Sequence, residues 1–450
     1  MTLATINRIL SMFLVAFRDM SIQVRLRDVE RLAVLVHHSM QHGRRVYHTP
    51  AHLFDMAKGM NPRQVLAVLF HDIVYYQIDG GFPEKAKYLL DTTVRVDDDQ
   101  VILLPFASRD SCVALCGGLF DFQAGETLPL FGGMNEFLSA VVATRLLQPY
   151  LSTTDLIAIG TCIEATIPFR GPTPTGQTVF ERAADRVAKV SQLLNAGLTR
   201  DDINRTVTDA VVMANRDVVN FSVPDPGHFL SATWQLIEES NAPLAAVGVY
   251  SIQEYRGALM RMEGFLGSIN PDHVFHSYQG TPDATEFAAL RAATKKNLAF
   301  SLSYLGAKIV SMALLEALAL ETGGDCPVAM MLGEIRSQSG VPNRVENLLP
   351  PLTDDRPTDP ALLAVFDTGR AKEAAFDLTA SPLTAYIYRC EGEEGTVRAL
   401  KQAKKMFAGE RTPRHFLASL RPELVRCVAG ACAQIAISRS AELRAMEAAL

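Results

Sequence analysis

Six of the chain's ten histidines fall between His37 and His71. Three of them, His48, His52 and His71, stand in a Tyr-His…His…His-Asp pattern within RRVYHTPAHLFDMAKGMNPRQVLAVLFHDIVYY, residues 44–76. Imidazoles and a carboxylate gathered in one place suit a divalent cation of intermediate softness. Local signals indicate how the chain presents them. Thr49-Pro50 has the form of an N-cap followed by proline at the first helical position. A helix is therefore expected from Pro50 to about Met60, with His52 in its first turn and His48 just outside it. Asn61-Pro62 repeats the signal and starts a second helix, whose VLAVLF run leads into His71-Asp72. A helix apolar all round is a buried one. An ionised Asp72 at its end then needs a counter-charge or a metal, because an isolated buried charge is very costly.

The elements that must position this stretch are read as helices. The chain has 450 residues, 48% of them hydrophobic, with a net charge of −6. That supports a substantial core, in two domains or one elaborated helical domain, and no basic tract suggests nonspecific nucleic-acid binding. The expected class is all-α. Residues 1–25 hold an N-terminal helix whose apolar run ILSMFLVAF is too short to span a bilayer, so no transmembrane segment is expected. A helix over 26–41 carries His37 and His38, with His42 just beyond it, as capping or surface groups. Residues 77–134 form an irregular insertion, a possible lid, punctuated by Gly80-Gly81, Gly117-Gly118 and Gly132-Gly133. Within it the Asp97-Asp98-Asp99 triplet is a solvated turn before a short strand, VILLPF. Helical periodicity returns at Asn135, over 155–170, over 179–195 and into DAVVMANRDVVNF. Beyond Pro224 the chain is nearly all helical: 266–337 is a helical extension, 338–360 a linker or exposed loop, and 361–450 a C-terminal helical segment. Seven dispersed cysteines fit reduced thiols in a cytoplasmic protein.

The string YHTPAH…LAVLFHD resembles the opening of the HD-domain metal-dependent phosphohydrolases, and the resemblance covers roughly residues 30–265. Two branches are closest. The cyclic-nucleotide phosphodiesterases open with Tyr-His-Asn-x-x-His and continue to His-Asp. A group of small bacterial predicted HD phosphohydrolases has Arg-x-Tyr-His-x-x-x-His, then Phe-His-Asp-x-x-Tyr, matched here by Arg45-Val46-Tyr47-His48 and Phe70-His71-Asp72-Ile73-Val74-Tyr75. The resemblance implies an HD-like helical bundle over 26–265. It implies a metal shell of His52, His71, Asp72 and a late Asp, matched by Asp217, for which a salt bridge to a nearby Arg is the plainer alternative. His48 is implied as general acid. Glu136, in Asn-Glu-x-x-Ser-Ala, is implied as a proton relay near the metal; without the resemblance it is an ordinary first-turn glutamate.

Substrate contacts are expected less firmly at Arg45, Thr166, Arg170 and Asn220. Ala165-Thr166 is kept from the family pattern but continues Ile-Pro-Phe-Arg, a departure that weakens carry-over of specificity. Gln235 and Gln253 are candidates for a base clamp by location, and Arg256 and Arg261 resemble the bacterial Arg-x-Glu-Tyr ending. No histidine lies between His71 and His228, which disfavours the HD-type diiron oxygenases and the HD-GYP enzymes. The cofactor implied is one or two divalent ions (Mn, Mg, Fe, Zn or Ni). The implied reaction is hydrolysis of a phosphate mono- or diester of a small phosphorylated substrate, a nucleotide or cyclic nucleotide, by a chain that can form a homo-oligomer. The alternative is a catalytically weak HD module that binds a nucleotide or a protein partner in signalling.

Overall fold

The computed structural model describes residues 3–41, 43–98, 100–105, 110–334, 343–352 and 356–449. It is all-α: 66% of the chain is helical and 3% is strand. Two compact units divide it, the first made of Met1–Ser222 with Asn270–Thr294, the second of Val223–Ile269 with Lys295–Leu450.

The first unit runs α1 (Thr5–Asp19), α2 (Leu26–Met40), α3 (Pro50–Met56), α4 (Pro62–Phe70), α5 (Tyr76–Asp79), α6 (Glu84–Leu90), a hairpin of β1 (Val94–Asp97) and β2 (Gln100–Leu103), then α7 (Ser111–Phe120), α8 (Met134–Leu147), α9 (Thr153–Ala165), α10 (Val179–Leu193) and α11 (Arg200–Asp217). Helix α9 is the axis. Every residue from Asp155 to Ala165 is buried, and α4, α7, α8, α10 and α11 pack around it. Close approach depends on two glycines. A Cβ on Gly160 would come within 2.9 Å of Leu119, and one on Gly118 within 2.6 Å of Val190, so α7 can lie against both α9 and α10. Helix starts are fixed by reciprocal capping boxes at Asn61/Gln64, Ser152/Asp155, Thr178/Glu181 and Thr199/Asp202, each satisfying two otherwise orphaned N–H groups.

Several expected boundaries differ. Helix α1 is not a separate segment: Ile9, Phe13 and Phe17 are buried in the first unit's core. The 77–134 insertion is not an irregular lid. Ala86, Leu90, Val101, Leu103, Val113 and Cys116 join that core, because α6 packs on α8 and α7 on α8, α9 and α10. The short strand is present as β2; Asp99 and residues 106–109 of the insertion lie outside the described residues. Residues 223–265 belong to the second unit, whereas Asn270–Thr294 returns to the first. The return is held by Asn215, whose side-chain amide donates to the His276 carbonyl (2.8 Å) and accepts from its N–H (2.9 Å), and by Tyr278 Oη donating to Asn204 Oδ1 at 3.0 Å.

The second unit contains α12 (Pro226–Ser240), α13 (Ile252–Ser268), the part of α14 (Ala284–Thr322) from Lys295 on, α15 (Val328–Leu332), α16 (Pro360–Thr368), α17 (Pro382–Phe407), α18 (Pro413–Leu417), α19 (Pro422–Ile435) and α20 (Ser440–Ala449). Of the expected 338–360 linker, residues 338–342 and 353–355 lie outside the described residues. The rest includes a 3-10 turn, Val345–Leu348, with Val345 fully buried. Helix α14 is long and apolar enough to cross a membrane, and 78% of its most apolar window is buried within the fold. Its buried charges are paired, Lys308 with Asp377 (3.1 Å) and Glu316 with Arg256 (3.0 Å).

Candidate metal centre

Three helix ends bring four side chains together. Thr49, extended at φ −112°, leads into Pro50 and the short α3, which places His52 in its first turn. The helix stops at Met56 rather than Met60. Helix α4 ends at Phe70 with His71 as its C-cap, so Asp72 stands just past the helix. Helix α11 ends on Asp217. His52 Nε2 lies 2.9 Å from Asp217 Oδ1 and 4.0 Å from Asp72 Oδ2. His71 Nε2 lies 3.0 Å from Asp72 Oδ2 and 3.7 Å from Asp217 Oδ1. His52, His71 and Asp72 offer ligand atoms that all lie within 4.8 Å of one another, and Asp217 adjoins them through its contacts with the two imidazoles.

The local chemistry fits a cation. His71 is 1% exposed and its Nδ1 lies 2.9 Å from the Val68 carbonyl. Donation there leaves the Nε2 lone pair turned toward the carboxylates. That Nε2 is buried and makes no hydrogen bond, which is costly for a polar atom unless something else binds it. Asp72 and Asp217 also stand at the C-terminal ends of two helices, where the macrodipole opposes negative charge. Burial acts to protonate both, yet His71 and His48 hold the Asp72 carboxyl far below the usual range, and the hydrogen bond with His52 and the charge of His71 hold Asp217 at about 2. Conversely, burial disfavours charge on His71, but Asp72 and Asp217 raise its pKa well above the ordinary value.

His48 sits just outside α3, its ring 4.7 Å from Tyr75 and 6.3 Å from His52 at steep angles. Glu136, in the first turn of α8, faces the same centre. Burial raises its pKa to about 7, and the charges of Asp72 and Asp217 add to the rise. Its helix neighbours anchor the strand of chain beyond Asp72: Ser139 Oγ accepts from Val74 N at 3.1 Å and Asn135 Oδ1 from Tyr76 N at 3.1 Å. In the sequence these two stood only as letters of the Asn-Glu-x-x-Ser-Ala motif with no role of their own, although polar side chains four apart on an otherwise apolar helix mark one face.

The remaining site candidates are placed differently. Arg45 is no substrate ligand: its guanidinium is buried, pairs with Asp79 at 2.7 and 2.9 Å, and donates to the Asp72 carbonyl at 2.6 Å. It anchors the backbone at Asp72 instead. Thr166 is a correction too, since its buried hydroxyl donates to the Ile163 carbonyl of its own helix end. Arg170 pairs with Glu164. Asn220 lies in a 3-10 turn just past Asp217, with a buried Oδ1 that has no hydrogen-bond partner. In the second unit, Arg256 pairs with Glu316 and Arg261 donates to Asn241 Oδ1 at 3.0 Å. Gln235 and Gln253 also lie in that unit. Comparison of the chain with protein-family models, with curated proteins and with solved structures returned no match.

Proposed function

We propose that the first unit is an HD-type metal-dependent phosphohydrolase that cleaves a phosphate mono- or diester, with a nucleotide as the favoured substrate. The convergence of His52, His71, Asp72 and Asp217, with His71 Nε2 buried and unbonded, carries the reading. These four residues would hold a divalent ion. When bound, the ion supplies Lewis-acid polarisation of a phosphoryl oxygen and acidifies water. Two neutral imidazoles and two carboxylates balance its charge and keep the site nearly neutral.

The chain's own residues do the rest. His48, outside the ligand set and beside Tyr75, gives a ring N–H proton to the leaving ester oxygen as general acid. Glu136, with a carboxyl poised near neutrality, exchanges a proton at its carboxylate oxygens during turnover. Arg45, Asn135 and Ser139 hold the Asp72–Tyr76 segment still, because catalytic groups lose efficiency with small misplacements.

The test is metal analysis of purified protein together with turnover of a general phosphodiester and of a nucleotide panel. Stoichiometric metal and turnover that fall by about 100-fold or more in His48→Ala and disappear in Asp72→Ala are expected. Stoichiometric metal with no turnover of any ester would instead favour a binding module, and absence of bound metal would refute both.

A further inference from the structure

Away from the metal centre, the most unbalanced group of charges in the first unit stands at the end of α9. Glu164 is 2% exposed. Its Oε1 accepts from Arg186 Nη2 at 2.6 Å and from Arg170 Nη1, while its Oε2 has no hydrogen-bond partner. Arg170 is fixed further by donation to the carbonyls of Glu164 (3.0 Å) and Ile167 (3.1 Å), and Arg186 by donation to that of Leu119 (2.6 Å). Arg182 donates to the Gly171 carbonyl at 3.2 Å, close enough to the group that Arg186 and Arg170 add to burial in lowering its pKa. Arg170 and Arg186 thus share one carboxylate with Arg182 close by, so three guanidiniums outnumber the one buried carboxylate among them.

The loop that carries Arg170 is wedged against the walls of the metal centre. Ile167 touches the start of α8, the helix of Glu136: a Cβ on Gly133 would stand 2.5 Å from Ile167 Cδ1. Phe169 adopts φ 61° and sets its ring 5.4 Å from Phe221, in the turn that follows Asp217. This left-handed conformation is uncommon for a residue with a side chain, and Arg170 follows directly. The charges of Asp72 and Asp217 raise the Glu136 pKa and that of Arg170 lowers it. Arg170 and Arg186 stay partly accessible, with side chains 24% and 15% exposed.

We infer that Arg170, Arg182 and Arg186 form an anion subsite beside the metal centre, which takes a second phosphate of the substrate and selects a linear di- or triphosphate over a cyclic monophosphate. This rests on the phosphohydrolase reading for the reacting phosphate. A cyclic monophosphate, being a diester, carries a single charge, which the metal would engage, and would leave the excess of positive charge unanswered. A linear diphosphate or triphosphate brings further charge and the oxygen geometry that arginine forks bind bidentately. Glu164 is the positioning residue that holds two of the three forks parallel to the wall.

The test separates the two sites. Binding of inorganic phosphate, pyrophosphate and cyclic AMP to chelator-stripped full-length protein is measured by calorimetry at fixed ionic strength. Pyrophosphate is expected to bind at least about tenfold tighter than either of the others, and Arg170→Gln and Arg182→Gln each to weaken it about tenfold. Arg182→Gln makes no change at Glu164 Oε1, so it serves if Arg170→Gln fails to fold. Equal binding of all three probes, or pyrophosphate affinity unchanged in both variants, overturns the subsite. Arginine-dependent pyrophosphate binding without turnover of ADP, ATP or any other ester in metal-loaded protein would sustain the subsite and sink the hydrolase reading. Turnover of esters unaffected in KM by either substitution would do the reverse.

Discussion

Arg45 offers a sharp test of how the metal centre is held, because its energetics follow from contacts alone. Its side chain is 0% exposed and that of Asp79 5%. The pair is bidentate, at 2.9 and 2.7 Å, and the same guanidinium reaches the Asp72 carbonyl at 2.6 Å. Arg45→Met keeps the apolar stem but leaves the Asp79 carboxylate buried without its arginine. Removing one partner of a buried pair costs about 3–5 kcal/mol, and the loss of the donor to the Asp72 carbonyl acts in the same direction. The double variant Arg45→Met/Asp79→Leu removes both charges, and most of that cost should return, leaving the protein within about 1–2 kcal/mol of wild type. Urea unfolding followed by circular dichroism measures all four members of the cycle. The double variant should still bind metal some 10- to 100-fold more weakly than wild type, because the segment carrying Asp72 has lost an anchor. A loss below about 1 kcal/mol in Arg45→Met, or a double variant no more stable than the single one, would refute the assignment of Arg45 as a buried support.

Further predictions concern metal, pH and the second unit. Chelation should lower the melting temperature of the full chain, and added metal at about 100 times its Kd should restore roughly 2.7 kcal/mol, a gain absent in His71→Ala. His276 is held neutral in the fold, its pKa lowered to about 4 by burial and by Arg170. The unfolded chain therefore binds the extra proton, and stability is lost as pH falls from about 6.5 toward 4, by at most about 1.4 kcal/mol per unit; His276→Gln should flatten that slope in denaturation measured across the window. In the second unit, Lys308 and Arg370 hold the buried Asp377 carboxyl low against the cost of burial, and Trp234 Nε1 donates to it at 2.8 Å. Asp377→Ala should cost about 3–5 kcal/mol, read by thermal or urea unfolding.

What could be read from the sequence follows the range of the forces involved. The start of α4 was legible because Asn61, Pro62 and Gln64 act within one turn. So was the burial of the run into His71, since VLAVLF has no polar face. The 77–134 segment was misjudged because its glycine pairs look like breakers. Gly118 in fact lies inside α7, where the missing side chain admits Val190 from α10, and only tertiary packing reveals that. Arg45 looked like a ligand through its neighbours in the motif, yet its role depends on Asp79, 34 residues on. The return of Asn270–Thr294 to the first unit rests on pairings such as Asn215 with His276, 61 residues apart, which leave no local pattern.

The central question is whether the four-residue cluster is a metal site or an ion-pair network that merely pins three helices, and the two differ in whether a substitution's cost depends on metal. In a structural network each charge is a partner of the others, so deleting one leaves another buried and uncompensated, at about 3–5 kcal/mol. The imidazoles already hold Asp217 ionised in the fold, so chelator-stripped Asp217→Asn should lose stability on either reading. A metal site adds a second loss: the variant forgoes the stabilisation that metal confers on wild type, so the gap between the two widens when metal is added. An equal gap with and without metal would assign the cluster to the fold's architecture, and the case for hydrolysis would go with it.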